Sequence, residues 1–505
     1  MKKSLLKTIC ILLLPALLLS GCWQEDPLEE ESPVHPDQTP LTAEEKPPAV
    51  ILPEQFSLPY APEQTLDPIT CADGMQQVIS SLLCESLFRL GPDFQPQAWL
   101  CERYTCEGNK YTLTLRDGVT FSDGSPLTAK DVKATLDRAR NSQRYGARLS
   151  GVTRISSGSG TVTITLSSPN SAFPALLDIP IVKAGTERGI PTGTGPYLFS
   201  AESTGDCLIA NQSWWQGAAQ PIDRIALVEA SDQNTMLYRF TSHDVQLVTA
   251  DLTGSDPITT TGSFVFLDVN TTIFQYIGCN VTREPLDNAV LRRALWSGMD
   301  RQQLVSSLLS GHGAAAQFPV SPASPLYPRQ LEEPDGAVSL AAGGVTVEEP
   351  LILLVNEENH FKVSMARQIA AGFTSGGIPV DINVLPWEEY TAALNAGNFD
   401  LYYGEVRLTA DWNLSALLGS SGSLNYGRWK DPQTDQLLAD FAADHTAAAQ
   451  ALYDHLRRHA PILPVCFKST STLVQAGVLE GLVSTAAEPF YNLTNCAVHL
   501  QPASP

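Results

Sequence analysis

The sequence predicts a mixed α/β protein of about three domains, or of two lobes on a shared sheet, and three observations carry that reading. The chain has 505 residues, 43% of them apolar and 17% charged, enough to bury several cores. Between 351 and 403, short apolar runs alternate with helically spaced ones. Between 76 and 166, helical spacing is interleaved with alternating strands, the pattern of an α+β segment.

In chain order, residues 76–90 carry apolar side chains at 78, 79, 82, 83, 87 and 88, the spacing of a helix. Residues 111–115 alternate as Tyr-Thr-Leu-Thr-Leu and 161–166 do likewise, so both read as half-buried strands. Between them Thr128-Ala129-Lys130-Asp131 is a capping box opening a helix through Arg140. Residues 351–355 form an apolar strand, and 359–374 follow with Val363, Ala366, Ile369, Ala370 and Phe373 on one helical face. Residues 380–385 are strand-like, 387–396 helical, and 399–403 a third strand. Strand–helix–strand–helix–strand implies a parallel, right-handed α/β unit, whose ligands bind beyond the carboxyl ends of its strands. That places 404–414 at a cleft edge.

Net charge is −22, or −25 once residues 1–21, with three lysines and no acid, are set aside. Such an anion is repelled by phosphate backbones, which excludes nucleic acid as a partner. The one long apolar run, 9–19, follows a basic start and is too short to span a bilayer, so residues 1–21 read as a secretory signal. It ends Leu18-Leu19-Ser20-Gly21-Cys22, which resembles a bacterial lipobox and makes Cys22 the expected lipidated start of the mature protein. Residues 22–48, rich in acids and proline, read as an unstructured tether.

The ten cysteines stand singly and none forms a CxxC pair, so zinc ribbons and thioredoxin-like redox centres have no support. Cys101 and Cys106 are the nearest pair outside the cell, open to a disulfide or to free, buried thiols. There is no HExxH, GxxxxGK[ST] or GxSxG, and the only SxxK lies within the signal. Gly193-Thr194-Gly195-Pro196 reads as a turn. His455 and His459 read as a solvated helix face, and Glu388-Glu389 as an exposed first turn. No catalytic residue, metal site or cofactor is expected.

Several ordered motifs resemble the extracytoplasmic solute-binding proteins of ABC importers, in the oligopeptide/dipeptide/nickel-binding family (solute-binding protein family 5). The most specific is 108–132, GNKYTLTLRDGVTFSDGSPLTAKDV; Thr65-Leu66-Asp67-Pro68 and Leu83-Cys84-Glu85-Ser86-Leu87-Phe88 precede it. Residues 193–199 (GTGPYLF), 285–304 (PLDNAVLRRALWSGMDRQQL) and 460–464 (APILP) follow in family order. The resemblance implies a two-lobe, periplasmic-binding-protein-like clamp with an extra α+β domain. Lobe I would comprise 49–68, 190–270 and 475–505, the extra domain 69–189, and lobe II 271–474.

It further implies a non-enzymatic, monomeric receptor, anchored outside the cell membrane through Cys22, that delivers a small solute to ABC permease subunits. In peptide-binding members an Asp after the third strand of lobe II holds the ligand's α-ammonium; the matching residue here is Asp411, with Trp412 as an apolar wall. The same resemblance sets 407–409, Arg407, Leu408 and Thr409, against the ligand main chain as an added strand. Arg407 is open to neutralising a peptide carboxylate or to being a plain surface arginine, and Asp411 to capping a helix over 413–418. Leu408 stands where members commonly carry tryptophan, and Asn413-Leu414 where they carry Asp-Pro. A nickel, heme or oligosaccharide ligand, or a sensor or adhesion lipoprotein without a transporter, are the alternatives.

Overall fold

The computed structural model describes residues 52–71, 74–254, 262–334 and 346–501. The expected signal, tether and lipidated Cys22 lie outside these residues. Helices and sheets are mixed throughout, as expected. Among the described residues no helix is long and apolar enough to cross a membrane.

Three sheets of four or more strands organise the described residues. The first orders Phe56–Tyr60, Arg224–Glu229, Gly205–Ala210 and Tyr197–Glu202. The second, antiparallel throughout, orders Cys101–Glu107, Lys110–Leu115, Thr161–Leu166 and Val152–Ser157. Its helix Ala129–Arg140 opens on the expected capping box, in which the Thr128 N–H donates to the Asp131 carboxylate at 3.1 Å. The alternation along 111–115 and 161–166 puts Tyr111, Leu113, Val162 and Ile164 into one core.

The third sheet has seven strands, and its α/β part follows the expected order. Leu351–Asn356 pairs in parallel with both Val380–Leu385 and Leu401–Arg407. The helices His360–Ser375 and Trp387–Ala396 make the two crossovers. Joined to this part are two long strands, Phe264–Cys279 and Ile462–Gln475, paired almost end to end. At one end Leu247–Ala250 and the short Gly313–Ala315 pair with Ile462–Gln475, and at the other Leu401–Arg407 pairs with Phe264–Cys279. The ribbon changes register between Asn270 and Phe274, an irregularity of the kind that bends a strand locally.

Three expectations are corrected. The helix expected over 76–90 is Gly74–Leu83 only. Gly195 N–H takes the Leu83 C=O at 2.9 Å, and Leu87 and Phe88, though in helical phase, turn into the core of the second sheet. His455 and His459 do not form a solvated face. His455 is buried, its Nε2 2.9 Å from Asp431 Oδ2 and 3.0 Å from Thr434 Oγ1, because His445–His459 packs on Pro432–Ala443. Cys101 and Cys106 stand five residues apart on one extended strand, roughly 16 Å at its rise, so they cannot bond; Cys101 is buried and Cys106 exposed.

Glu85 fixes the second sheet's unit to the first. Its carboxylate accepts from the indoles of Trp99 (2.9 Å), Trp214 (3.1 Å) and Trp215 (2.7 Å) and from the Thr194 hydroxyl (2.7 Å). Burial pushes its pKa up to about 7 against the pull of these four donors.

Candidate functional site

The strand Leu401–Arg407 has one paired edge and one largely open edge. Toward Phe264–Cys279 it pairs over its whole length, from Arg407 opposite Ile273 to Leu401 opposite Cys279. On its other side Leu351–Asn356 reaches only Leu401 and Tyr402. The Leu408 N–H donates to the Thr272 C=O at 2.9 Å, which sets the phase of the ladder. The main chain of 404, 406 and 408 therefore faces the paired edge, and that of 403, 405 and 407 the other. The Tyr390 hydroxyl donates to the Tyr403 C=O at 2.7 Å, so the open stretch begins at Glu405.

The side chains of Tyr403, Glu405 and Arg407 share one face with Gln275 and carry a chain of polar contacts. The Tyr403 hydroxyl donates to Gln275 Oε1 and Gln275 Nε2 to Glu405 Oε2, both at 2.7 Å. Lys362 Nζ stands 3.3 Å from Glu405. Lys468, 2% exposed, reaches Asp251 at 2.9 Å and the Thr253 C=O at 3.2 Å. Its burial is tolerable because a carboxylate and a carbonyl replace the lost water.

Arg407 ends this face differently. It is surface-accessible, yet ringed by protein that holds its pKa below the usual guanidinium value; Glu405 and Asp251 oppose that drop and Arg144 adds to it. Among the described residues no carboxylate lies within ion-pair distance of Arg407. Arg144 meets the Cys71 C=O (3.1 Å) and Sγ (3.8 Å) and stands over the Tyr145 ring at 5.3 Å. Among the described residues neither guanidinium has a carboxylate within ion-pair distance, and the positive charge of Arg144 adds to the lowering of the Arg407 pKa.

Asp411 lies deeper than an exposed anchor would. It is 2% exposed, and its Oδ2 accepts from Asn170 Nδ2 at 2.8 Å, while Oδ1 takes the Thr409 hydroxyl. Arg148, ion-paired with Asp178, feels its charge; burial lowers the Arg148 pKa to about 10, and Tyr145 and Asp411 counter that fall. The Asp411 C=O accepts from His445 Nε2 at 2.7 Å. A carbonyl only accepts, so His445 Nδ1 is the acceptor for the Ser171 hydroxyl 2.8 Å away. The short helix Ser415–Leu418 starts later than the expected one over 413–418. The Ser415 N–H bonds Asn413 Oδ1 at 2.9 Å, and Asp411 only brushes the Asn413 N–H at 3.4 Å.

Trp412 is buried, edge-on to Phe94 at 5.1 Å and to Phe467 at 5.8 Å. Phe94 (φ 65°) and Trp412 (φ 54°) are both left-handed, a strain on the order of 1–3 kcal/mol each. Leu408 is buried and Thr409 half-buried. The structure thus brings Arg407 to an accessible face and Asp411 and Trp412 to a buried contact with the second sheet's unit. Asn170, Ser171, Arg144, Arg148 and His445 escaped the sequence reading. Nothing local in the sequence marks them, since Asn170 and Asp411 are 241 positions apart.

Residues 95–425 match the family described as Bacterial extracellular solute-binding proteins, family 5 Middle. The chain is 31% identical over 277 residues to the glutathione-binding protein GsiB of Salmonella typhi, covering 51% of this chain and about half, 54%, of that protein. It is 26% identical over 446 residues to the protein of the same name from Escherichia coli K12, covering 79% and 86%. Its fold superposes on the crystal structure of a nickel ABC transporter protein from Bacillus halodurans with a TM-score of 0.73 at 20% identity, covering 88% of this chain and 100% of that one.

Proposed function

The chain belongs to the bacterial extracellular solute-binding proteins, family 5, and from that premise we propose that it binds a small peptide and hands it to an ABC permease. The observation that carries the peptide reading is the open edge at Glu405 and Arg407, where Arg407, which feels the charge of Arg144, has no carboxylate partner among the described residues. Main-chain groups on an open edge pair with an extended peptide whatever its side chains. Arg407 and Arg144 supply the charge for its carboxylates, and Asp411 the charge for its α-ammonium. Glutathione, a tripeptide with two carboxylates and one ammonium, fits that charge pattern and is the first ligand to test. The glutathione-binding names of the relatives add to the case.

In the same reading Cys22 carries the lipid, the protein works as a monomer outside the cell membrane, and the lobes (49–68, 190–270 and 475–505 against 271–474) close around the ligand with 69–189 as the added domain. The long-strand ribbon, with its register shift beside Asn270, is the natural hinge. The deciding experiment is mass spectrometry of whatever is released when natively purified protein is unfolded. Peptides are expected; a nickel chelate, heme or sugar recovered in their place would overturn the proposal.

A further inference from the structure

The unit built on the second sheet is held on two sides, and the two contacts differ in kind. Toward the first sheet it is fixed by the buried Glu85 and three indoles, and by Arg89 ion-paired with Glu488. Toward the α/β side it is held mostly by small polar groups. Asn170 Nδ2 donates to Asp411 Oδ2 (2.8 Å) and the Ser171 N–H to the Ala442 C=O (2.8 Å). Ser171 Oγ accepts from the His445 N–H (3.1 Å) and donates to its ring. The apolar part of this contact is Phe94 on Trp412, and both residues are in left-handed backbone conformations. A contact whose two aromatic members are both strained, and whose hydrogen bonds water can replace, is the one that parts first.

We propose that the Asn170–Ser171 turn and the Phe94–Trp412 contact form a separable latch, in which the Asn170 amide occupies the Asp411 carboxylate that the ligand's ammonium takes when the latch opens. This rests on the reading of Asp411 as the ammonium site. An amide N–H is a weaker donor to a carboxylate than an ammonium, so Asn170 fills the position yet yields to an amine. The latch makes Asn170 a specificity residue. Ligands with a free amine can displace it, and ligands without one cannot.

The test uses trialanine and N-acetyl-trialanine as probes, with calorimetry on the wild type, Asn170→Ala and Asp411→Asn. It also uses a spin-label distance between the exposed native Cys106 and Glu389→Cys. Asn170→Ala should bind trialanine about 3- to 10-fold tighter, the gain from removing one competing hydrogen bond, with N-acetyl-trialanine unchanged. Its label distances should extend to longer values. Ser171→Ala, which keeps Asn170 but breaks the bond to His445, should lengthen the distances in the same direction. Unchanged distances in both variants would overturn the latch, and an unchanged trialanine affinity in Asn170→Ala would overturn the competition. If Asp411→Asn binds trialanine as well as the wild type, or neither peptide binds any protein, the ammonium reading fails, and the distances alone decide the latch.

Discussion

At the scale of single residues, Asp411 and Glu85 show how differently two buried carboxylates can be employed. Asp411→Asn keeps the shape and an acceptor for Asn170, so folding stability should change little. Binding of an amine-bearing peptide should fall by about 2–4 kcal/mol, 30- to several-hundred-fold by calorimetry, because the charge partner is gone. Glu85 holds its proton more tightly folded (about 7) than its ordinary 4.5. The folded chain therefore binds more protons between those values, and this group's contribution to stability is full below pH 4.5 and lost as pH rises through 7. The loss is on the order of 3 kcal/mol. Melting curves from pH 4.5 to 8 should show this fall in the wild type and not in Glu85→Gln. The variant should be less stable at low pH, since its amide must face an indole N–H. Glu85 itself lies in a motif that the sequence displays, but the tryptophans around it come from positions 14, 129 and 130 residues away, which no local pattern signals.

Elements were legible where their cause is local and obscure where it is not. The Thr128 capping box and the apolar stripe of His360–Ser375 act within a few residues, so their spacing suffices. Leu87 and Phe88 keep a helical period, but the Gly195 N–H on Leu83 ends the helix from a distant segment. The same holds for His455, which is covered by a helix that the spacing of its own helix cannot reveal. The strand Leu401–Arg407 yields two expectations. A trialanine analogue N-methylated at an internal amide should lose about tenfold in affinity if that N–H completes the open edge, and calorimetry would read it. Gly404 has no such freedom toward its own sheet: a Cβ there would sit 2.5 Å from the Tyr276 ring, which is buried and bonded to Tyr402. Gly404→Ala should lower stability by about 1–3 kcal/mol in denaturant titrations.

For the whole molecule, small-angle scattering should report a smaller radius for the protein saturated with peptide than for ligand-free Asn170→Ala, whose latch is open; an unchanged profile would argue for a rigid scaffold. If Cys22 carries the lipid as proposed, Cys22→Ser should release the protein from the membrane. Retention of the mutant in washed, detergent-free membranes would count against the anchor.

The ribbon of Phe264–Cys279 and Ile462–Gln475 has a consequence for biogenesis. Phe264 finds Gln475 only after some two hundred intervening residues exist, and Val478, Leu482, Phe490 and Leu493 belong to the same core as Phe56 and Leu58 near the start. The first sheet therefore cannot complete its interior until the residues beyond Gln475 exist, whereas the core of the second sheet is built from 69–181 alone. Such remote pairing is slow, because loop closure precedes any gain from contact. A chain cut short by thirty residues keeps the ribbon but lacks Val478, Leu482, Phe490 and Leu493, and should thus leave the strand of Phe56 and Leu58 exposed to proteases as well, so that the first strand finds its place only when the tail beyond Gln475 does.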